Sequence, residues 1–105
     1  MQVVVIRFVV REEWASRWLA LVDEFTRATR AEDSNLWFWW ARDVDEPNVF
    51  FLLEGHREEG VEAHLKSPLI PKIQREWPAA LVETPRVLMT TMPGNAWADL
   101  ALLPV

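Results

Sequence analysis

Apolar residues recur along this chain with two different periods. Between Glu12 and Ala31 they fall at Trp14, Trp18, Leu21, Val22, Phe25 and Ala28, mostly at steps of three and four. Arg17, Asp23, Glu24, Arg27 and Arg30 take the opposite side. That period predicts one amphipathic helix of about five turns, and Glu12 and Glu13 suit the positive end of its dipole. The other apolar residues come in short blocks. Gln2 to Val10, Leu36 to Arg42 (LWFWWAR), Asn48 to Leu53 and Arg86 to Met92 (RVLMTTM) are rich in β-branched or aromatic residues, which predicts four strands. Asp43 to Asn48 (DVDEPN) has turn composition, so the second and third strands form an antiparallel hairpin. Glu54 to Glu59 reads as a polar exit from the third strand. A short helix follows over Glu59 to Lys66. Ser67-Pro68 then starts another, with Ser67 as N-cap, Pro68 at the first helical position, and Leu69, Ile70, Ile73 and Trp77 on its apolar face.

The order strand, helix, strand, strand, helix, strand is the ferredoxin-like βαββαβ arrangement. This is an α+β fold whose four-stranded antiparallel sheet carries its helices on one face. Residues 1–93 make up that domain, and 94–105 form an apolar tail with no assigned element. A sheet with one wet face should alternate apolar and polar residues, yet VVVI, LWFWWA and VFFLL do not. Both faces therefore need cover, and the helical segments supply only one layer. The other face predicts a homodimer, a second copy packed sheet to sheet about a two-fold axis and reinforced by Trp97, Leu100, Leu102, Leu103 and Val105.

Composition narrows the function classes. The 105 residues carry 11 basic and 16 acidic side chains, a formal charge of −5. With no basic stripe, nucleic acid and anionic membrane are poor partners. The absence of cysteine excludes thiolate catalysis, thiolate metal sites and internal disulfides, and fits a cytoplasmic location. No apolar run approaches the roughly 18 residues of a membrane helix, and MQVVVIRFVV lacks the flanks of a signal peptide. Asp43, Asp45 and Glu46 lack the spaced loop of a calcium site, so no metal is expected. Seven tryptophans against no tyrosine read first as core filler.

Three stretches, VVVIRFVV, RDVDEPNVFFLLE and VEAHLKSPLIPKI, resemble the antibiotic biosynthesis monooxygenase (ABM) domain from Met1 to about Met92. The resemblance implies a dimeric α/β barrel. For members that oxygenate phenolic or anthrone-type substrates it also implies chemistry without metal, flavin or haem. Three departures bear on function. Glu54-Gly55-His56 stands where members often carry an aromatic residue in a pattern like E-x-W. Gln74 stands where haem-degrading relatives carry a histidine ligand, and Ile6 and Arg7 where they have asparagine, which points away from haem degradation.

Such chemistry needs a substrate that supplies its own electrons, because an ionised phenol or enol is far easier to oxidise than the neutral form. The protein must then offer a flat apolar slot, a base, and donors to hold the anion. His64 is the first candidate base, since imidazole titrates near neutral pH, and His56 is the second. Arg7, Asn35, Asn48 and Arg86 are candidate donors. Trp37, Phe38, Trp39, Phe50 and Phe51 are candidate walls for a small aromatic substrate. Plainer readings stand beside these. A histidine on a short helix also packs or caps, and His56 in a charged exit loop is by default solvated. Arg7 shares parity with Val3, Val5 and Val9, and an ion pair with Glu54 or another acid is favoured over a ligand contact. Parity separates Trp37, Trp39 and Ala41 from Phe38, Trp40 and Arg42, without saying which set faces the helices. The expected function is a cofactor-independent monooxygenase using dioxygen on a quinol or polycyclic phenol. The alternative is a non-catalytic dimeric module for a small apolar ligand or a partner, with haem degradation third.

Overall fold

The computed structural model describes residues 1–105. Strands β1 (Gln2–Val9), β2 (Asn35–Arg42), β3 (Val49–His56) and β4 (Arg86–Thr91) form one antiparallel sheet in the order β2-β3-β1-β4. Helices α1 (Trp18–Leu21), α2 (Asp23–Arg30), α3 (Gly60–Leu65) and α4 (Ile70–Glu76) pack on one side of it. The fold is α+β and ferredoxin-like. No helix is long and apolar enough to cross a membrane.

Register decides the faces. Val4, Ile6 and Phe8 of β1 lie opposite Glu54, Leu52 and Phe50 of β3, which lie opposite Phe38, Trp40 and Arg42 of β2. Phe8, Phe38, Phe50 and Leu52 are buried in one core cluster with Trp18, Val22, Phe25 and Trp77 from the helical layer. The Phe38 set therefore faces the helices, and Trp37, Trp39 and Ala41 face away. Trp18 is the hub, with ring centroids 5.2 Å from Phe8, 5.5 Å from Trp77 and 5.8 Å from Trp40.

Two expectations need correction. The helix expected over Glu12 to Ala31 is broken into a single 3-10 turn at Glu12–Trp14, then α1, then α2. The cause lies one turn beyond the second break. Thr26 Oγ1 donates to the Val22 carbonyl at 2.8 Å and accepts Trp40 Nε1–H at 2.9 Å. A hydroxyl bonded to the carbonyl four residues back bends a helix, and Val22 relaxes to φ −89°, ψ 0°. The second correction is β3, which runs on to His56 rather than stopping at Leu53. Glu54 and His56 continue the inward face of Phe50 and Leu52, and the polar exit begins only at Arg57. Gly55 points the other way, and the Trp37 indole lies so close over it that a Cβ there would clash.

The outward face is apolar and little covered. Every residue of β4 is exposed, Leu88 by 75%. Met92 joins the end of β4 to Met1, its N–H donating to the Met1 carbonyl at 2.7 Å. From that edge the tail crosses to the opposite edge of the sheet. There Trp97 packs 5.7 Å from both Trp37 and Trp39.

Candidate functional site

The inward parity of β3 sets the site. After Phe50 and Leu52 it delivers two polar side chains into the helix–sheet layer, Glu54 (3% exposed) and His56 (fully buried). The chain then reverses through Glu59, which takes a left-handed φ of 68°. Gly60 lets α3 begin hard against the end of β3, since a Cβ there would sit 3.0 Å from the Cβ atoms of both His56 and Ser34. One helical turn later His64 lands on Glu54.

The polar groups form a chain. His56 Nε2 lies 2.9 Å from Glu54 Oε1. His64 Nε2 lies 3.6 Å from that same oxygen, beyond hydrogen-bond length. The other nitrogen of His64, Nδ1, lies 3.2 and 3.3 Å from the two oxygens of Glu32, in the turn between α2 and β2. The His64 ring is gripped by Phe25 at 5.1 Å and His56 at 5.2 Å.

Beside this cluster lies a cavity of about 460 Å³ between the sheet and α2, α3 and α4. Its walls include Val4, Ile6, Leu52, Phe25, Ile73 and Trp77, and Val87 and Met89 of β4 line it as well. Among its 15 lining residues Glu54 and His64 are the two ionisable ones. The cavity can thus take a flat apolar molecule and present a carboxylate and an imidazole to one point on it, with no cation to balance a ligand's negative charge. No group of three or more carboxylate and imidazole side chains is arranged to hold a metal ion.

The candidate residues separate into two groups. His64 lines the cavity; His56 lies behind Glu54 and does not. Arg7, Trp37, Trp39, Phe51 and Arg86 belong to the outward face, where Val5, Arg7, Phe51, Arg86 and Leu88 border a separate groove of about 470 Å³. Phe38 and Phe50 are core residues. Asn35 donates its amide to the Trp37 carbonyl at 3.2 Å, and Asn48 donates to Val10 at 3.1 Å; neither lines the cavity. The expected solvation of His56 is corrected by its complete burial. An Arg7–Glu54 ion pair is excluded because the two lie on opposite faces. Arg7 instead reaches Glu46 and Glu83, each at 3.4 Å.

Glu54 as a cavity group and Glu32 as its outer neighbour were missed from the sequence. Extending the parity of Phe50 and Leu52 by one step would have found Glu54. Nothing local marks Glu32, which is 32 residues from His64.

Residues 1–76 match the family described as antibiotic biosynthesis monooxygenase. The chain belongs to that family. The match covers the polar cluster of Glu32, Glu54, His56 and His64, from β1 to the end of α4, and leaves out β4, whose Val87 and Met89 line the cavity, and the tail. Solved structures share the ABM fold at low identity. Rv0793 from Mycobacterium tuberculosis is 24% identical with a TM-score of 0.80, over 91% of this chain and 98% of its own. A Deinococcus radiodurans protein provisionally named an antibiotic biosynthesis monooxygenase is 20% identical with a TM-score of 0.83, over 96% and 100%. Another structure described as an antibiotic biosynthesis monooxygenase is 18% identical with a TM-score of 0.78, over 90% and 100%. No curated protein sequence matches the chain.

Proposed function

We propose that this ABM protein is a cofactor-independent monooxygenase that oxidises a quinol or polycyclic phenol with dioxygen. One observation carries the reading: an apolar cavity of about 460 Å³ whose two ionisable lining groups, Glu54 and His64, converge on one corner. In that corner His64 Nε2 can accept the phenol or enol O–H of a flat ligand, with Glu54 Oε1 3.6 Å from that nitrogen. Loss of that proton to His64 makes the ring electron-rich enough to reduce dioxygen. For an anthrol, dioxygen adds to the ring carbon and takes the proton back from His64, giving a hydroperoxide. Loss of the C–H proton at that carbon with cleavage of the O–O bond then leaves a carbonyl, and the departing hydroxide takes up that proton as water. Ring and dioxygen together balance this as one quinone and one water. The outward face, with its groove at Arg7 and Arg86, serves as the homodimer surface rather than as part of this pocket.

Oxygen uptake with anthrone and hydroquinone substrates tests the proposal. His64→Ala is expected to lower the rate by on the order of 10²–10⁴-fold, the usual worth of a positioned base. An unchanged rate would remove His64 from the chemistry. Saturable quenching of tryptophan fluorescence without oxygen uptake would move the protein to the second reading, a binding module. A visible haem or flavin spectrum in the purified protein would refute cofactor independence. Support for the haem branch is weak in any case, because Gln74 is exposed on α4 and does not line the cavity.

A further inference from the structure

We infer that Glu32 is a positioning residue, which holds the proton of His64 on Nδ1 and so keeps the Nε2 lone pair facing the cavity; this rests on His64 being the base. The groups that face the His64 ring are Glu32 from the α2–β2 turn, Glu54 and His56 from β3, and the rings of Phe25 and Phe38. The imidazole is packed among those rings, so its neighbours decide which nitrogen carries the proton. Glu32 meets Nδ1 with both oxygens, at 3.2 and 3.3 Å. An ionised carboxylate only accepts, so Nδ1 must donate. The turn holds Glu32 in place by its backbone, its N–H bonded to the Thr29 carbonyl and its carbonyl to Asn35 N–H, both at 3.0 Å.

The inner end shows why this matters. Glu54 Oε1 is already paired with His56 Nε2 at 2.9 Å, and a carboxylate oxygen there can only accept. If His64 carried its proton on Nε2, that N–H would point at the Glu54 corner and leave no lone pair there for a substrate. Glu32 prevents that state. The Glu32 side chain is 27% exposed where His64 is 8% and Glu54 5%, so it also links the buried pair to solvent. A proton taken at Nε2 can leave as the Nδ1 proton through Glu32.

Long-range ¹H–¹⁵N spectra of the histidine rings in the intact, ligand-free protein test this directly, over a pH range that includes the neutral imidazole. The wild-type chain should show His64 neutral with the proton on Nδ1. Glu32→Ala should move it to Nε2, while Glu62→Ala, on the exposed side of α3, should leave it on Nδ1. A wild-type His64 protonated on Nε2, or doubly protonated throughout, would overturn the inference before any variant is made. An unmoved tautomer in Glu32→Ala would overturn it as well. In turnover, Glu32→Ala should lower kcat by on the order of 10²-fold with KM little changed. The spectra need no substrate, so the two readings can fail separately. A shifted tautomer with no wild-type oxygen uptake sinks the oxygenase proposal alone, and uptake with an unshifted tautomer sinks only the role of Glu32.

Discussion

Single side chains in this protein are set by hydrogen bonds that close over short and long distances alike. Asp43 shows the short case. Its carboxylate accepts the N–H of Asp45 at 2.8 Å and of Glu46 at 3.0 Å, and so pins the β2–β3 turn. Those two bonds, with a smaller attraction from Arg7, hold its pKa below the ordinary value. A folded-state pKa below the unfolded one means stability that is complete above the unfolded pKa, near pH 4, and lost as the pH falls through the folded value. Asp43→Ala should therefore be less stable than the wild type in urea at pH 7. That gap should narrow steadily below about pH 4. A gap that stays constant down to pH 2 would mean the turn gains nothing from the charge. Glu32 and His64 are the long case, with nothing in their immediate neighbours to announce the contact.

Helix propensity does little for the elements of the helical layer. α1 has four residues and α3 six, too short to persist alone. What holds α1 is Trp18, fully buried among Phe8, Trp40, Phe50 and Trp77. Its Nε1–H is buried without a partner, so the residue acts through volume and ring contacts. Trp18→Ala should cost about 3–5 kcal/mol, measured as a shift in the urea midpoint at constant m-value. That is a large part of the about 5–15 kcal/mol total of a typical domain, so the variant will be only marginally folded. Trp18→Phe, which loses no hydrogen bond, should cost much less. Equal losses in the two variants would show that the indole N–H matters after all.

Across the whole molecule the imbalance between the two sheet faces stands out. The inward face has a helical layer and a cavity; the outward face has Leu88 exposed, a groove between Arg7 and Arg86, and one tail laid across it. The radius of gyration is 14.9 Å, against about 13 Å for a compact chain of this length. A second copy on the outward face would restore a two-layer burial that one chain cannot reach alone. Light scattering during size exclusion should then give twice 12.3 kDa at micromolar concentration. Leu88→Lys, which adds a third cation beside Arg7 and Arg86, should bring the mass down to a single chain. A wild-type monomer would defeat the dimer proposal, and a Leu88→Lys dimer would place the interface elsewhere.

Much of the architecture was readable from residue order, because the two apolar periods and DVDEPN are local signals that survive folding. They were enough for four strands, two helical regions, the hairpin and the ferredoxin-like order. The unbroken blocks LWFWWA and VFFLL also predict that the sheet needs cover on both sides. Local signals failed where a second element had to arrive. Period two sorted Phe38 from Trp37, but only the landing of α1 and α2 on the Phe38 side gave the two sets different environments. Glu54 and His56 read as part of a polar exit from the strand, and became buried because β3 keeps its register with β1 to the end. The break at Val22 depended on Trp40, from another strand, reaching Thr26. The cavity corner has the same origin. Glu32, Glu54 and His64 meet where α3 closes onto β3, with Gly60 fitting tightly between His56 and Ser34, a steric event that no stretch of sequence contains by itself.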